Sequence, residues 1–179
     1  MIVRLIQGIE ALSVFIGWIG AWVMAPLIAS MVYEVLARHL FNAPTFWAYE
    51  IGYMLAGTCY LFGMAYCMKQ KGHVRVDFLY DQVGPKWRAI IDILGYTFLL
   101  LPGALWITWG LYEFAVEAYD SGEVSGESAW NPVVWPFRTV WVIAFVALVL
   151  QTIAEILKSF RVLFGYAEEE FVEHHGSEV

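Results

Sequence analysis

Ala11-Leu-Ser-Val-Phe-Ile-Gly-Trp-Ile-Gly-Ala-Trp-Val-Met-Ala-Pro-Leu-Ile-Ala-Ser-Met-Val-Tyr33 contains no Asp, Glu, Lys or Arg, and Glu10 and Glu34 bound it. As a helix rising about 1.5 Å per residue it is about 35 Å long, against a bilayer hydrocarbon core of about 30 Å. It is too long and too apolar for a core helix of a small soluble domain, and it predicts a membrane span with some tilt. It also exceeds the apolar region of about 7–15 residues in a secretory leader, so it reads as a retained helix.

Outward from this run, residues 51–68, 93–112 and 139–154 are equally free of charge, and Trp, Tyr and charged residues flank each. Four spans follow, over about residues 11–33, 50–68, 90–112 and 134–157. Pro26 and Pro102 fall inside the first and third. Each removes a backbone donor and marks a candidate kink, which membrane helices tolerate better than soluble ones. The composition agrees. Of 179 residues, 60% are hydrophobic and 15% charged, whereas soluble domains average about 25% charged. Mean hydropathy is +0.62. The 9 Trp and 10 Tyr suit two membrane interfaces.

Lys and Arg set the expected direction. Arg4, then Lys69, Lys71, Arg75, Lys86 and Arg88, then Lys158 and Arg161 lie on one side; only Arg38 and Arg138 lie on the other. The positive-inside bias places both termini in the cytoplasm. Five acids after the third span, Glu113, Glu117, Asp120, Glu123 and Glu127, then face outward. The expected fold is an all-α membrane protein, a single four-helix domain over residues 1–166. Val76, Leu79, Tyr80 and Val83 recur at helical spacing and predict a short amphipathic helix on the cytoplasmic surface. Gly84-Pro85 ends it, and Pro85 suits the first turn of the next helix. Residues 167–179 are acidic and read as a mobile cytoplasmic tail, with His174 and His175 as tail polarity rather than a metal site.

The missing chemistry is informative. A net charge of −7 argues against nucleic acid as a partner. No G-x-x-x-x-G-K-[ST], H-E-x-x-H or G-x-S-x-G occurs, which points away from an ATPase or a hydrolase. Cys59 and Cys67 form no C-x-x-C and read as small core residues, not metal ligands. His39, His73, His174 and His175 all lie at or beyond span ends, where an axial haem ligand is not expected. No ionisable residue falls near the middle of a span, and ion or proton pathways normally leave such residues at depth. No catalytic residue, metal or cofactor is expected.

The charges that remain gather at boundaries. Glu34 and Arg38 are spaced i,i+4 and are open to two readings: an ion pair along one helix face, or a polar contact to a partner subunit. Asn42, Pro44, Trp47 and Glu50 follow at once and suggest a built corner with its turn at Asn-Ala-Pro. Trp106, Trp109, Glu113 and Glu117 share one face, which reads as an aromatic belt with a solvated end.

Three motifs carry a family likeness. Glu34-Val-Leu-Ala-Arg38-His-Leu-Phe-Asn42-Ala-Pro44-Thr-Phe-Trp47-Ala-Tyr-Glu50 resembles the first loop of the small (DctQ-type) membrane subunits of tripartite ATP-independent periplasmic (TRAP) transporters. Gly72-His73-Val74-Arg75-Val76-Asp77 is similar to the stretch after that family's second span. Trp130-Asn131-Pro132 with Trp135-Pro136 is similar to the start of its last helix. The resemblance implies a scaffold subunit of a sodium-driven importer of an organic acid, multi-pass in a bacterial inner membrane. Its implied partners are a large membrane subunit that moves the substrate and a periplasmic substrate-binding protein. It also implies subunit-interface candidates: Glu34, Arg38, Asn42, Trp47, Glu50, His73, Arg75, Asp77 and Asn131. For His73 and Asp77, a hydrogen-bonded pair within this loop stands beside a contact to the large subunit. The alternative function is a membrane anchor for a redox enzyme.

Overall fold

The computed structural model describes residues 2–70 and 84–164. The amphipathic helix expected at residues 76–83, the motif Gly72 to Asp77 and the tail 167–179 lie outside the described residues. Among those described the chain is helical: α1 (Ile2–Phe41), α2 (Ala48–Lys69), α3 (Pro85–Gly95), a π-helical turn (Tyr96–Leu100), α4 (Leu101–Ser121) and α5 (Trp135–Leu163). Four runs are long and apolar enough to cross a membrane: α1, α2, the continuous stretch from α3 through α4, and α5.

Local chemistry explains the boundaries. α1 continues as helix through Pro26 and stops where Asn42 takes φ +51°, a left-handed backbone that Asn tolerates better than most residues. Extended Gly84 precedes α3 and Pro85 occupies its first turn, as its fixed φ favours. The π turn precedes Pro102, and Leu101 N–H reaches back five residues to the Tyr96 carbonyl. Pro102 has no N–H to give, and its ring crowds the carbonyl one turn earlier. The wider turn is a standard device for absorbing such a break without ending the helix.

α5 is the hub. It packs against α1, α2, α3 and α4, whereas among the described residues α3 and α4 reach the α1–α2 hairpin almost entirely through it. Hydrocarbon tails supply no hydrophobic drive between helices, so close approach at small residues carries the packing. Alanine is accordingly the commonest buried apolar residue, and the central cluster is Ile16, Phe62, Ala65, Ala144 and Ala147. Gly17 and Gly20 of α1 lie directly against the Cβ atoms of Tyr66 and Phe62 on α2. An aromatic chain of Tyr53, Phe137, Trp141 and Phe114 ties α2, α5 and α4 together, with centroid spacings of 5.9, 5.1 and 6.3 Å.

Candidate functional site

The expected corner between α1 and α2 exists, and Glu34 is its centre. Its Oε1 accepts from Arg38 Nε at 3.0 Å and from Arg38 Nη2. Its Oε2 accepts from the Thr45 amide at 2.9 Å and from the Thr45 hydroxyl. The i,i+4 spacing announced the first partner; Thr45 lies across the turn and had no periodic signal. Asn42 supplies the left-handed turn, and the Ala43 amide donates to the Ala37 carbonyl at 3.1 Å. Trp47, just before α2, stacks on Tyr33 with centroids 5.6 Å apart and planes 26° from parallel. One carboxylate and one ring stack thus fix the angle between two helices.

Glu34 is buried and gathers donors from two sides of the turn, so its truncation opens the corner. Glu34→Ala is expected to lower the unfolding midpoint more than Thr45→Val does, because it removes the acceptor for both Arg38 and Thr45. Thr45→Val removes the hydroxyl and keeps the amide bond, and is expected to cost about 1 kcal/mol. Thermal unfolding of both variants in one detergent checks the order. Equal midpoints for Glu34→Ala and wild type would remove Glu34 from its central place.

Glu50 shares a sequence motif with Arg38 but has a different partner. It is 0% exposed, and its Oε1 accepts from the Ser128 hydroxyl, 78 residues along the chain. Among the described residues its Oε2 has no hydrogen-bond partner. Its place in the first turn of α2 lets the helix dipole favour negative charge there. The bond joins the corner to the loop between α4 and α5, so both lie at one end of the bundle. Asn131 also belongs to that loop: it has φ +47° and its Oδ1 accepts from the Gly126 amide at 2.7 Å. His73, Arg75 and Asp77 lie outside the described residues.

Two clusters escaped sequence reading. At the same end, Arg138 forks onto the Glu123 carboxylate with both bonds at 2.6 Å, and its guanidinium lies 3.4 Å from the Phe114 ring centroid. At the opposite end, a polar chain joins α1 to α5. The Ser13 hydroxyl donates to Gln151 Oε1 at 2.8 Å, and Gln151 Nε2 donates to Glu155 Oε1 at 2.9 Å. Lys158 Nζ donates to Glu155 at 2.7 Å and also pairs with Glu10. Ser13, Gln151 and Glu155 are buried. The i,i+4 and i,i+3 steps from Gln151 to Glu155 to Lys158 were visible in sequence; the link to Ser13 and Glu10 was not.

These clusters join helices. None of the curated protein sequences compared with the chain matches it. A family model does: "Tripartite ATP-independent periplasmic transporters, DctQ component" matches residues 27–162, from the second half of α1 to the end of α5 and well over half of the chain. The match spans the Glu34–Thr45 corner, the Glu50–Ser128 tie and the Arg138 fork. With four helices able to cross a bilayer, the chain therefore belongs to the DctQ family, the small inner-membrane component of TRAP transporters.

Proposed function

We propose that this chain is the fixed supporting subunit of a sodium-driven importer of organic acids, with its termini in the cytoplasm. A large membrane subunit carries the substrate and the ions, and a soluble periplasmic protein delivers the substrate. The small subunit packs against the immobile part of the large one and broadens its footing in the bilayer. One observation carries this reading: the unequal burial of the helices. In the most apolar window of each, 44% of the α5 residues are buried within the chain, against 6% in the α3–α4 run. A tripartite component with so much unpartnered helix offers a face for a second membrane subunit. The uncharged middles of all four spans agree with support rather than transport. The corner residues Glu34, Arg38, Asn42, Trp47 and Glu50, with Asn131, shape the outer part of that contact. His73, Arg75 and Asp77 serve on the cytoplasmic side. The family match does not favour the redox-anchor alternative.

The test is reconstitution. Proteoliposomes with the large subunit, this chain and the periplasmic protein are expected to take up an organic acid down a sodium gradient. Omitting this chain is expected to abolish uptake or to reduce it severely. Full-rate uptake without it would end the supporting role.

A further inference from the structure

The third span is longer than a bilayer needs, and it is jointed. Lys86 to Ser121 form one helical run of 36 residues, about 54 Å long. Its charge-free part, residues 93–112, already covers the roughly 30 Å of a hydrocarbon core. The π turn at 96–100 therefore falls just inside one edge of that core, and α3 lies at the boundary. Pro102 cannot donate to the Phe98 carbonyl one turn back, and π turns are places where long helices bend. Gly95 and Gly103 flank the turn. Nothing lies within 4 Å of a Cβ at either, and neither has a positive φ. Neither packing nor backbone angle demands glycine there, yet both are weak helix formers.

The two arms of the joint are held unequally. α4 is clamped to α5. Ala104, Ala115 and Ala118 are buried, the Phe114 ring stacks on Trp141 with centroids 6.3 Å apart, and Arg138 Nη1 donates to the Phe114 carbonyl at 3.3 Å. Tyr119 meets Trp135 edge-on at 5.4 Å. By contrast, only Ala89 is buried among residues 86–100, and Phe98 and Leu99 are 75% and 80% exposed. Trp87, Ile91, Leu94 and Phe98 share one exposed face, opposite Ala89 around the helix, while Lys86, Arg88 and Asp92 take the other sides. Such a face suits two settings. It can continue the span among acyl chains, or it can lie at the headgroup boundary with its charges toward water.

We propose that the π turn is a joint that fits this chain to bilayers of different thickness. α4 stays fixed on α5, while α3 straightens into a thick membrane and folds toward the interface of a thin one. Natural bilayers differ by several ångströms, from about 27 to about 33 Å of hydrocarbon. A free helix answers such a change by tilting as a whole. A helix clamped along one arm answers it by moving the other.

The test uses the full chain in nanodiscs of lipids with chains of about 14 and about 22 carbons. Cys59→Ala and Cys67→Ala clear the background for paired spin labels. One pair, Ile91→Cys with Phe160→Cys, reports α3 against α5; the other, Ile107→Cys with Ile143→Cys, reports α4 against α5. All four sites are exposed. Between the two lipids the α3 distance is expected to shift by about 3 Å or more, and the α4 distance by less than about 1 Å. Pro102→Ala with Gly103→Ala restores a donor and stiffens the turn, and is expected to reduce the α3 shift by about half or more. Gly95→Ala, which meets no neighbour, is expected to act in the same direction and serves if the double variant does not insert. Equal shifts in both pairs would show the bundle tilting as one body and overturn the joint. An α3 distance that ignores the lipid, or that shifts as in wild type in the stiffened chains, overturns it too.

Discussion

Lys158→Met is expected to destabilise the isolated subunit by about 3–5 kcal/mol. Lys158 Nζ serves two carboxylates, Glu10 on α1 and Glu155 on α5. Methionine keeps the length and apolar stem of the side chain and removes its charge. Glu155 is nearly inaccessible and then retains only the Gln151 amide as donor. An unpaired carboxylate in such a place costs far more than the pair contributed. The midpoint of thermal unfolding in detergent is expected to fall by about 10 °C. Adding Glu155→Gln to Lys158→Met removes the stranded charge and is expected to restore most of the loss, because the two residues act as a unit. A single variant that melts with wild type would show that the chain from Ser13 to Lys158 does not hold α1 to α5.

Gly17→Leu is the second change with a large expected effect, and it acts through shape. A Cβ on Gly17 meets the Tyr66 Cβ at 2.7 Å and its Cγ at 2.9 Å. The Tyr66 Cβ is fixed to the α2 backbone, so no rotamer change makes room. Leucine is a far better helix former than glycine, so α1 itself gains by about 0.8–1.0 kcal/mol at most. The net loss, about 1–3 kcal/mol or more, reports overpacking between α1 and α2. Gly8→Leu is the matched control, since nothing lies within 4 Å of a Cβ there. It is expected to melt at or above wild type. Equal behaviour of the two variants would show that the α1–α2 seam does not depend on close backbone approach.

Helix number and type were legible because a bilayer imposes a coarse rule: a run without charge, long enough to cross, is a helix. Residues 11–33 and their counterparts obey it, and α1, α2, the α3–α4 run and α5 each contain one such run. The Asn42 turn and the Glu34–Arg38 pair were legible for a local reason, since a breaker and an i,i+4 spacing are written within a few residues. Partners found only by folding were not. Ser13 and Gln151 are 138 residues apart, and Glu50 and Ser128 are 78 apart. No spacing rule links such pairs. Lys158 shows the cost of this blindness. In the sequence it is one of several cations that set orientation, although its particular work is to join two helices. The π turn was half legible: Pro102 announced a disturbance, but its sequence does not state whether the helix bends or widens.

The placing of α5 has a consequence for synthesis. A ribosome delivers α1 and α2 first, and their seam of glycine against aromatic side chains is complete as soon as both have entered the membrane. Among the described residues, the α3–α4 run that follows meets the earlier hairpin almost entirely through a helix not yet translated. That run must wait beside the hairpin until Trp135–Leu163 emerges and docks against every earlier helix. Until then Glu123 lacks Arg138, and Glu10 lacks Lys158. The nascent chain closes in one late step, with the most buried helix arriving last.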